Sequence, residues 1–320
     1  MPAGNKVNGK KATFQPDLVV VGGANTDYFI KGNRLPEKGK SAPGERFESQ
    51  PGGKGINQAI GAARLGARVA LVAMMGNDLR AREILERLEA EGVDTSHVSR
   101  TDNVPTGATL IMIGEEGQTT RMWVAGANVL LLPSVVEDAS APLRSARLVL
   151  AQLEVPSASV MRAFELAREH PIPTMLDDDP AIPLTDAMMA LIDAIRVDLD
   201  AEQVISGAAV TDHDAAIAVA ASLIHRGARI VALQSPDDGN MVVTPEAAYS
   251  FPPVSVVPID RTGAGDAFSA AFAVALLEGK PLEQAGFFAN AAAAWATTRI
   301  GAVAGLPTRN ELDAFVASHA

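Results

Sequence analysis

The chain has 320 residues, of which 48% are hydrophobic and 20% charged, so it can bury a large core in one or two α/β domains. Its formal net charge of −11 argues against a nucleic-acid or anionic-membrane surface, because such surfaces need a basic face. The lack of cysteine excludes disulfides, thiol catalysis and cysteine metal sites, and suits the cytoplasmic location that we expect.

The first fifteen residues are polar and contain no apolar stretch typical of a secretory signal. We therefore predict a flexible tail over residues 1–16. No apolar run elsewhere reaches the length of a membrane span.

After this tail, short apolar runs alternate with helical patterns along most of the chain. The predicted strands cover 17–22, 68–74, 148–153, 173–176, 194–197 and 230–233. The predicted helices cover 55–65, 79–91, 157–169, 212–226, 264–278 and 282–298. Such alternation predicts an α/β fold with a mostly parallel sheet covered by helices on both faces, and ligands beyond the carboxyl ends of its strands.

Two segments interrupt the alternation, at 28–50 and 106–124. Both contain glycine or proline with alternating polar and apolar residues, which predicts antiparallel strands. Together they would form a small β sheet that serves as a lid or a dimer contact. The α/β core would then comprise residues 17–27, 51–105 and 125–320.

Three polar motifs follow predicted strands or open a helix. Asn25 and Asp27, after two glycines, suit sugar hydroxyls but equally suit an Asx-stabilised turn. Gly52-Gly-Lys-Gly-Ile-Asn57 is a glycine-rich helix start that lacks the Walker spacing. Glu154 follows the strand at 148–153, where a lone carboxylate is usually just solvated.

The segment from Asp260 to Asp266 places two glycines and an acid at the start of a small-residue helix. The first amides of a helix lack intrahelical partners and carry partial positive charge, so this segment predicts an anion cradle. Asp266 could cap the helix, or it could take a proton from an attacking hydroxyl. The segment by itself leaves both interpretations open.

The motifs as an ordered set resemble the ribokinase-like (PfkB-type) carbohydrate kinases, and ribokinases most closely. They are Asn25-x-Asp27, Gly52-Gly-Lys-Gly-x-Asn57, Ala125-Gly-Ala-Asn128, Gln152-Leu-Glu154 and Asp260-x-Thr-Gly-Ala-Gly-Asp266, followed by Phe288–Ala294 and Thr298–Gly301. The similarity covers nearly the whole chain from about Asp17. It implies a three-layer α/β sandwich with a small antiparallel β lid.

The resemblance also implies roles for individual residues. Asp266 matches the catalytic base, and Gly263, Ala264 and Gly265 match the anion hole for the transferring phosphoryl group. The positions that match sugar-binding residues are Asn25, Asp27, Gly53, Lys54, Asn57 and Glu154, with Asp266 beside them. The resemblance assigns nucleotide binding to Asp198, Gln234, Gly265 and Asn290. It assigns the binding of a monovalent cation such as K⁺ to Asp260, Thr262 and Gly301.

The nucleotide half departs from the family pattern. The usual Asn-x-x-Glu, whose Glu organises magnesium, is here Asp198-Leu-Asp200-Ala201, and Asp177 stands where Asn-Pro usually begins. Gln234 replaces the glycine of the usual Thr-Leu-Gly. Either Asp177, Asp198 or Asp200 holds magnesium instead, or the phosphoryl donor is not ATP, or the protein has kept only sugar or nucleoside binding.

The hypothesis from the sequence is a kinase that transfers a phosphoryl group from Mg²⁺-bound ATP to the primary hydroxyl of a furanose, with ribose favoured. A nucleoside kinase and a binding-only protein are the alternatives. A Rossmann oxidoreductase is remote because the glycine fingerprint is missing. The expected partners are small molecules and a second copy of the chain, paired through the lid, without nucleic acid or membrane.

Overall fold

A computed structural model describes residues 14–115, 118–177, 183–198, 209–236 and 239–319 of the chain. Most of the predicted tail and the magnesium candidate Asp200 lie outside these ranges. Within them, no helix is both long and apolar enough to cross a membrane.

The strands of the described residues are β1 (Leu18–Val21), β2 (Asn25–Lys31), β3 (Arg46–Gly52), β4 (Val69–Gly76), β5 (Val98–Thr101), β6 (Gly107–Ile113), β7 (Thr119–Val124), β8 (Leu148–Gln152), β9 (Thr174–Asp177), β10 (Ala194–Val197), β11 (Ile230–Ser235), β12 (Gly239–Val243) and β13 (Ala248–Phe251). The α-helices are α1 (Lys54–Arg64), α2 (Leu79–Ala90), α3 (Pro133–Asp138), α4 (Ser140–Leu143), α5 (Ser157–Arg168), α6 (Asp186–Met189), α7 (His213–His225), α8 (Ala264–Leu277), α9 (Leu282–Ala296), α10 (Ala302–Gly305) and α11 (Arg309–His319).

The larger sheet has nine strands within these ranges, in the order β13-β12-β11-β10-β9-β8-β1-β4-β5. Its strands pair in parallel from β5 to β11, and β12 and β13 add an antiparallel edge. The predicted α/β fold with a mostly parallel sheet is therefore confirmed. Because parallel strands end at one edge, Asp177 and Gln152, paired in register, meet there.

Burial explains why the central strands contain so few polar residues. Every residue of β1 and β4 is buried, since helices cover both faces of the sheet. On one face, α8 packs against α9 and α1. The interior residues Ala267, Ala270 and Ala271 of α8 are at most 1% exposed, and their small side chains let the helices approach closely. This packing holds the first turn of α8 at a fixed place above the sheet.

The smaller sheet has the strand order β3-β2-β6-β7. The pairs β2–β3 and β6–β7 are antiparallel, as predicted, and a parallel pairing of β2 with β6 joins these two units. Asn25 and Asp27 lie on β2, so two sugar-binding candidates belong to a strand of this sheet. Asn25 is in register with Gly52, which brings the start of α1 next to β2.

Candidate active site

Asp266 lies in the first turn of α8, and the N-cap of this helix is Gly263. Gly263 has a φ of 81°, a left-handed conformation that favours glycine, and no side chain caps the helix. Asp266 is therefore not the cap, which removes one of the two interpretations that the sequence left open. The helix start that the sequence predicts as an anion cradle carries no competing side-chain acceptor at its cap.

The carboxylate of Asp266 points instead to α1. Asn57 Nδ2 donates to one of its oxygens at 2.8 Å, and Gln58 Nε2 donates to the other at 3.0 Å. Burial raises the pKa of Asp266 to about 6, although Lys54 and these hydrogen bonds lower it, and the charge of Asp177 adds to the rise. A carboxyl group with such a pKa suits general base catalysis near neutral pH.

Asp177, at the end of β9, is completely buried and collects donors from several elements. Its Oδ2 accepts from Gln58 Nε2 at 2.5 Å and from the Ser269 hydroxyl at 2.8 Å. Its Oδ1 accepts from Arg196 Nη1 at 3.2 Å and lies 3.6 Å from Lys54 Nζ. The single amide of Gln58 thus links Asp177 to Asp266.

Arg196 lies one residue before the end of β10 and is 3% exposed. Besides Asp177, its guanidinium contacts the Asp198 carboxylate through Nη2. Burial alone would lower the pKa of Arg196, but Asp198 and Asp177 raise it. Burial likewise opposes ionisation of Asp198, yet Arg196 and Lys54 hold the pKa of this carboxyl below its usual value.

Three residues of this network were not among the site residues predicted from the sequence, namely Gln58, Arg196 and Ser269. Gln58 directly follows the Asn57 motif. Arg196 is a charged residue within an otherwise apolar strand of four residues, and a buried charge usually requires a partner. That signal was available in the sequence, whereas a serine inside a helix carries none.

The sugar-binding candidates come together around the start of α1. Glu154 accepts a hydrogen bond from the backbone N–H of Lys54 at 2.9 Å, and Asn25 Oδ1 accepts from Asn128 Nδ2 at 2.8 Å. Asp27 is 6% exposed and lies against Gly52, where an added Cβ would come within 2.2 Å of its carboxylate. Burial raises the pKa of Asp27 to about 6, although a hydrogen bond from Thr109 lowers it, and the charge of Asp266 adds to the rise.

Among the described residues, two buried side-chain acceptors lack a hydrogen-bond partner, Asn57 Oδ1 and Gln152 Oε1. Gln152 Oε1 lies against the backbone of Gly22, where an added Cβ would come within 1.8 Å of it. Asn57 Oδ1 belongs to the amide that donates to Asp266. A buried acceptor without a donor costs free energy, so Asn57 is ready to accept a hydrogen bond beside the carboxylate.

The nucleotide-binding candidates lie at the carboxyl edge of the large sheet but do not form one cluster of contacts. Gln234 is paired in register with Asn240. Asn290 is 4% exposed, accepts from Asn240 and donates to the carbonyl of Pro252 at 2.9 Å, so its side chain holds the loop after β13. Asp198 and Gly265 instead lie beside Arg196.

The predicted monovalent cation residues lie together. Asp260 accepts hydrogen bonds from the backbone and hydroxyl of Thr262 at 2.9 and 2.8 Å, and from the backbone N–H of Gly301 at 2.8 Å. The carboxylate thereby joins the loop before α8 to the loop before α10. A cation here stays a prediction.

For magnesium, no three acidic or histidine side chains within the described ranges converge as a cage would require. The oxygens of Asp177 already face Gln58, Ser269, Arg196 and Lys54. The Asp198 side chain is 36% exposed, so solvent reaches Asp198 but does not reach the completely buried Asp177. Magnesium commonly uses one or two carboxylates plus substrate phosphates, so one accessible carboxylate fits such a site.

Known proteins resemble this chain over most of its length. A family model described as the pfkB family carbohydrate kinase matches residues 15–309. The ribokinase of Haemophilus influenzae is 32% identical over 294 residues, 92% of this chain and 96% of the relative, and that of Bacillus subtilis is 34% identical over 297 residues, 93% and 98%. The structure of Arabidopsis thaliana ribokinase complexed with ribose and ATP superposes with a TM-score of 0.86 at 28% identity, covering 94% of this chain and 99% of that one. The chain belongs to the pfkB family of carbohydrate kinases, and it is a sugar kinase.

Proposed function

We propose that the protein phosphorylates the primary hydroxyl of ribose with ATP as donor and Asp266 as base. Asp266 takes the hydroxyl proton while the hydroxyl oxygen bonds to the γ-phosphorus. The bond from that phosphorus to the β–γ bridging oxygen breaks, and ADP leaves with this electron pair. The products are ribose 5-phosphate and ADP.

The observation that carries this proposal is the pair formed by Asn57 and Asp266. A sugar hydroxyl placed there can donate to Asn57 Oδ1 or to Asp266, whose raised pKa of about 6 makes it a stronger proton acceptor than an ordinary carboxylate. Asp27, Lys54 and Glu154 line the adjacent region with further hydrogen-bonding groups.

The helix start at Gly263, Ala264 and Gly265 would stabilise charge on the transferring group, since phosphoryl transfer depends mostly on positioning and electrostatics. Magnesium bound to the donor phosphates would neutralise part of their charge. Asp198 is the protein carboxylate that would bind this ion. Gln234 and the loop held by Asn290 would border the nucleotide, and Asp260, Thr262 and Gly301 would surround a monovalent cation.

Ribose is favoured because the H. influenzae and B. subtilis relatives are ribokinases and the A. thaliana structure contains ribose and ATP. The nucleoside alternative would need an aromatic wall for the base. Three aromatic side chains of the small sheet are otherwise placed: Phe29 is 3% exposed, and Tyr28 stacks on Phe47 with ring centroids 6.2 Å apart. These contacts favour packing of the sheet over base binding.

The test is release of ADP from Mg·ATP with ribose, 2-deoxyribose, fructose and a set of nucleosides. We expect the highest kcat/KM with ribose. Turnover only with nucleosides would replace the proposal by the nucleoside kinase. Binding of ribose by calorimetry without turnover of any acceptor would indicate a protein that has kept only the binding function.

The proposal includes a homodimer formed through the small sheet. Phe47 and Met122 are 64% and 73% exposed and share one face of this sheet with Tyr28 and Leu110, which lie between them, and contiguous exposed apolar side chains commonly mark an interface. The sheet that carries Asn25 and Asp27 would then be stabilised by its partner. We place the enzyme in the cytoplasm, where ATP is available.

A further inference from the structure

We infer that Arg196 is a positioning residue of the phosphoryl-transfer site. It neutralises Asp177 and Asp198, and it packs against the first turn of α8, which carries the anion cradle. The inference rests on the proposed role of Gly263–Gly265 as that cradle. Arg196 has no assigned part in the proposed chemistry, and yet it is a buried charge in direct contact with both acidic strand ends.

The first observation is the position of the guanidinium. A Cβ added to Gly265 would lie 2.9 Å from both Arg196 Nη1 and Nη2. The guanidinium also lies 5.6 Å from the ring centroid of Phe268, one turn further along α8. The cation therefore packs directly against the first turn of α8, and a side chain at residue 265 would displace it.

The second observation is the balance of charge. Asp177 and Asp198 stand at the ends of neighbouring strands, and two cations, Lys54 and Arg196, face them. Without Arg196, two carboxylates would share a single lysine close to the place where the donor phosphates are expected. Their uncompensated charge would repel those phosphates, and burial would make the repulsion stronger than at an exposed surface.

The third observation is the route from Arg196 to the base. Arg196 bonds to Asp177, Gln58 bonds to Asp177 and to Asp266, and Gln152 Nε2 donates to Gln58 Oε1 at 2.6 Å. Each member fixes the next, so Arg196 helps to set the rotamer of the amide that holds Asp266. It acts through these neighbours and does not touch the sugar.

The experiment compares Arg196→Gln with the double variant Asp177→Asn, Arg196→Gln, which removes one charge of each sign and keeps Asp198. For Arg196→Gln, kcat/KM for ATP should fall by at least about tenfold, the effect of one poorly screened charge at about 10 Å. Ribose is uncharged, so its Kd by calorimetry should change by less than about threefold, within the usual effect of a distant substitution. The double variant should regain part of the lost kcat/KM for ATP, because Asp198 then remains as the carboxylate that faces Lys54.

Arg229→Gln is the matched control, because Arg229 is 82% exposed and lies at the opposite end of the sheet, before β11. Arg196→Lys keeps the charge and should use ATP better than Arg196→Gln; circular dichroism melting shows whether each variant folds. An unchanged kcat/KM for ATP in Arg196→Gln would overturn the inference. An equal loss of ribose affinity, or a double variant that is worse than Arg196→Gln, would also overturn it. If the wild type itself fails to phosphorylate any sugar, the proposed function fails, which is a separate result.

Discussion

Asn57 and Asp266 are 209 residues apart in the chain and joined by a hydrogen bond of 2.8 Å. The amide of Asn57 orients the carboxylate and leaves its own oxygen without a donor. The pair therefore presents a proton acceptor and a hydrogen-bond acceptor side by side. A substrate hydroxyl, which has one proton to donate, can bond to either of them.

Asp266→Asn should lower kcat by about 10²–10⁴, the usual contribution of a general base. The Kd for ribose should stay within a few fold, because asparagine retains the shape and one acceptor oxygen. Steady-state kinetics and calorimetry measure the two quantities. Asp186→Asn, at a side chain 91% exposed, is the control and should behave as wild type. An equal loss of turnover and ribose affinity would mean that Asp266 is structural.

The pH profile of kcat should show an acidic limb near pH 6. The folded state raises the pKa of Asp266 from 3.8 to about 6, so the carboxyl is protonated below that pH and cannot accept the hydroxyl proton. At saturating ATP and ribose, kcat should fall about tenfold per pH unit below the limb. An ordinary carboxyl would place the limb near pH 4, and a flat kcat down to pH 5 would exclude Asp266 as the titrating base.

Asp27 titrates in the same range, so a variant is needed to separate the two groups. Asp27→Asn should change the pH dependence of ribose binding and leave the acidic limb of kcat in place. If the limb of kcat disappears in this variant, the titrating group is Asp27.

Asn57→Ala should weaken ribose binding by about 10- to 100-fold, which corresponds to about 1–3 kcal/mol for a buried hydrogen-bonding group. The loss has two sources, the missing acceptor for the sugar and the looser carboxylate of Asp266. Calorimetry gives the Kd, and the exposed Asn310→Ala serves as the comparison. Ribose affinity equal to that of the wild type would show that the Asn57 oxygen does not face the sugar.

Gly265→Ala should reproduce the effect of Arg196→Gln. The new methyl group would lie 2.9 Å from both terminal nitrogens of Arg196, so the guanidinium has to move away from Asp177 and Asp198. We expect a lower kcat/KM for ATP with ribose affinity preserved. If Gly265→Ala uses ATP normally, the close packing of Arg196 against Gly265 has no role in phosphoryl transfer.

Met122→Glu should convert the expected dimer to a monomer. The Met122 side chain is 73% exposed on the small sheet, and a charge there would be buried without a partner in an apolar interface. Size-exclusion chromatography with light scattering gives the mass. Leu79→Glu changes another exposed apolar residue (63%) outside this sheet and should leave the mass unchanged. A monomeric wild type would refute the dimer.

The alternation of apolar strands and helices was sufficient to predict the α/β fold, because buried parallel strands and the helices that cover them have distinct local patterns. The order of the polar motifs likewise predicted the family. The predicted strand at 194–197 coincides with β10. Strands β5, β12 and β13 were not predicted.

Tertiary structure decided the rest, because those contacts join residues far apart in the chain. Asp266 could be a cap or a base on sequence grounds, and only the approach of α1 to α8 places its carboxylate between Asn57 and Gln58. The sequence does not distinguish Asp177 from Asp198 as a magnesium candidate. In the folded protein Asp177 is buried among four donors, whereas Asp198 is partly exposed beside Arg196. The local sequence pattern shows which residues are polar. Their chemistry depends on the surrounding charge and burial, which arise only when distant elements pack together.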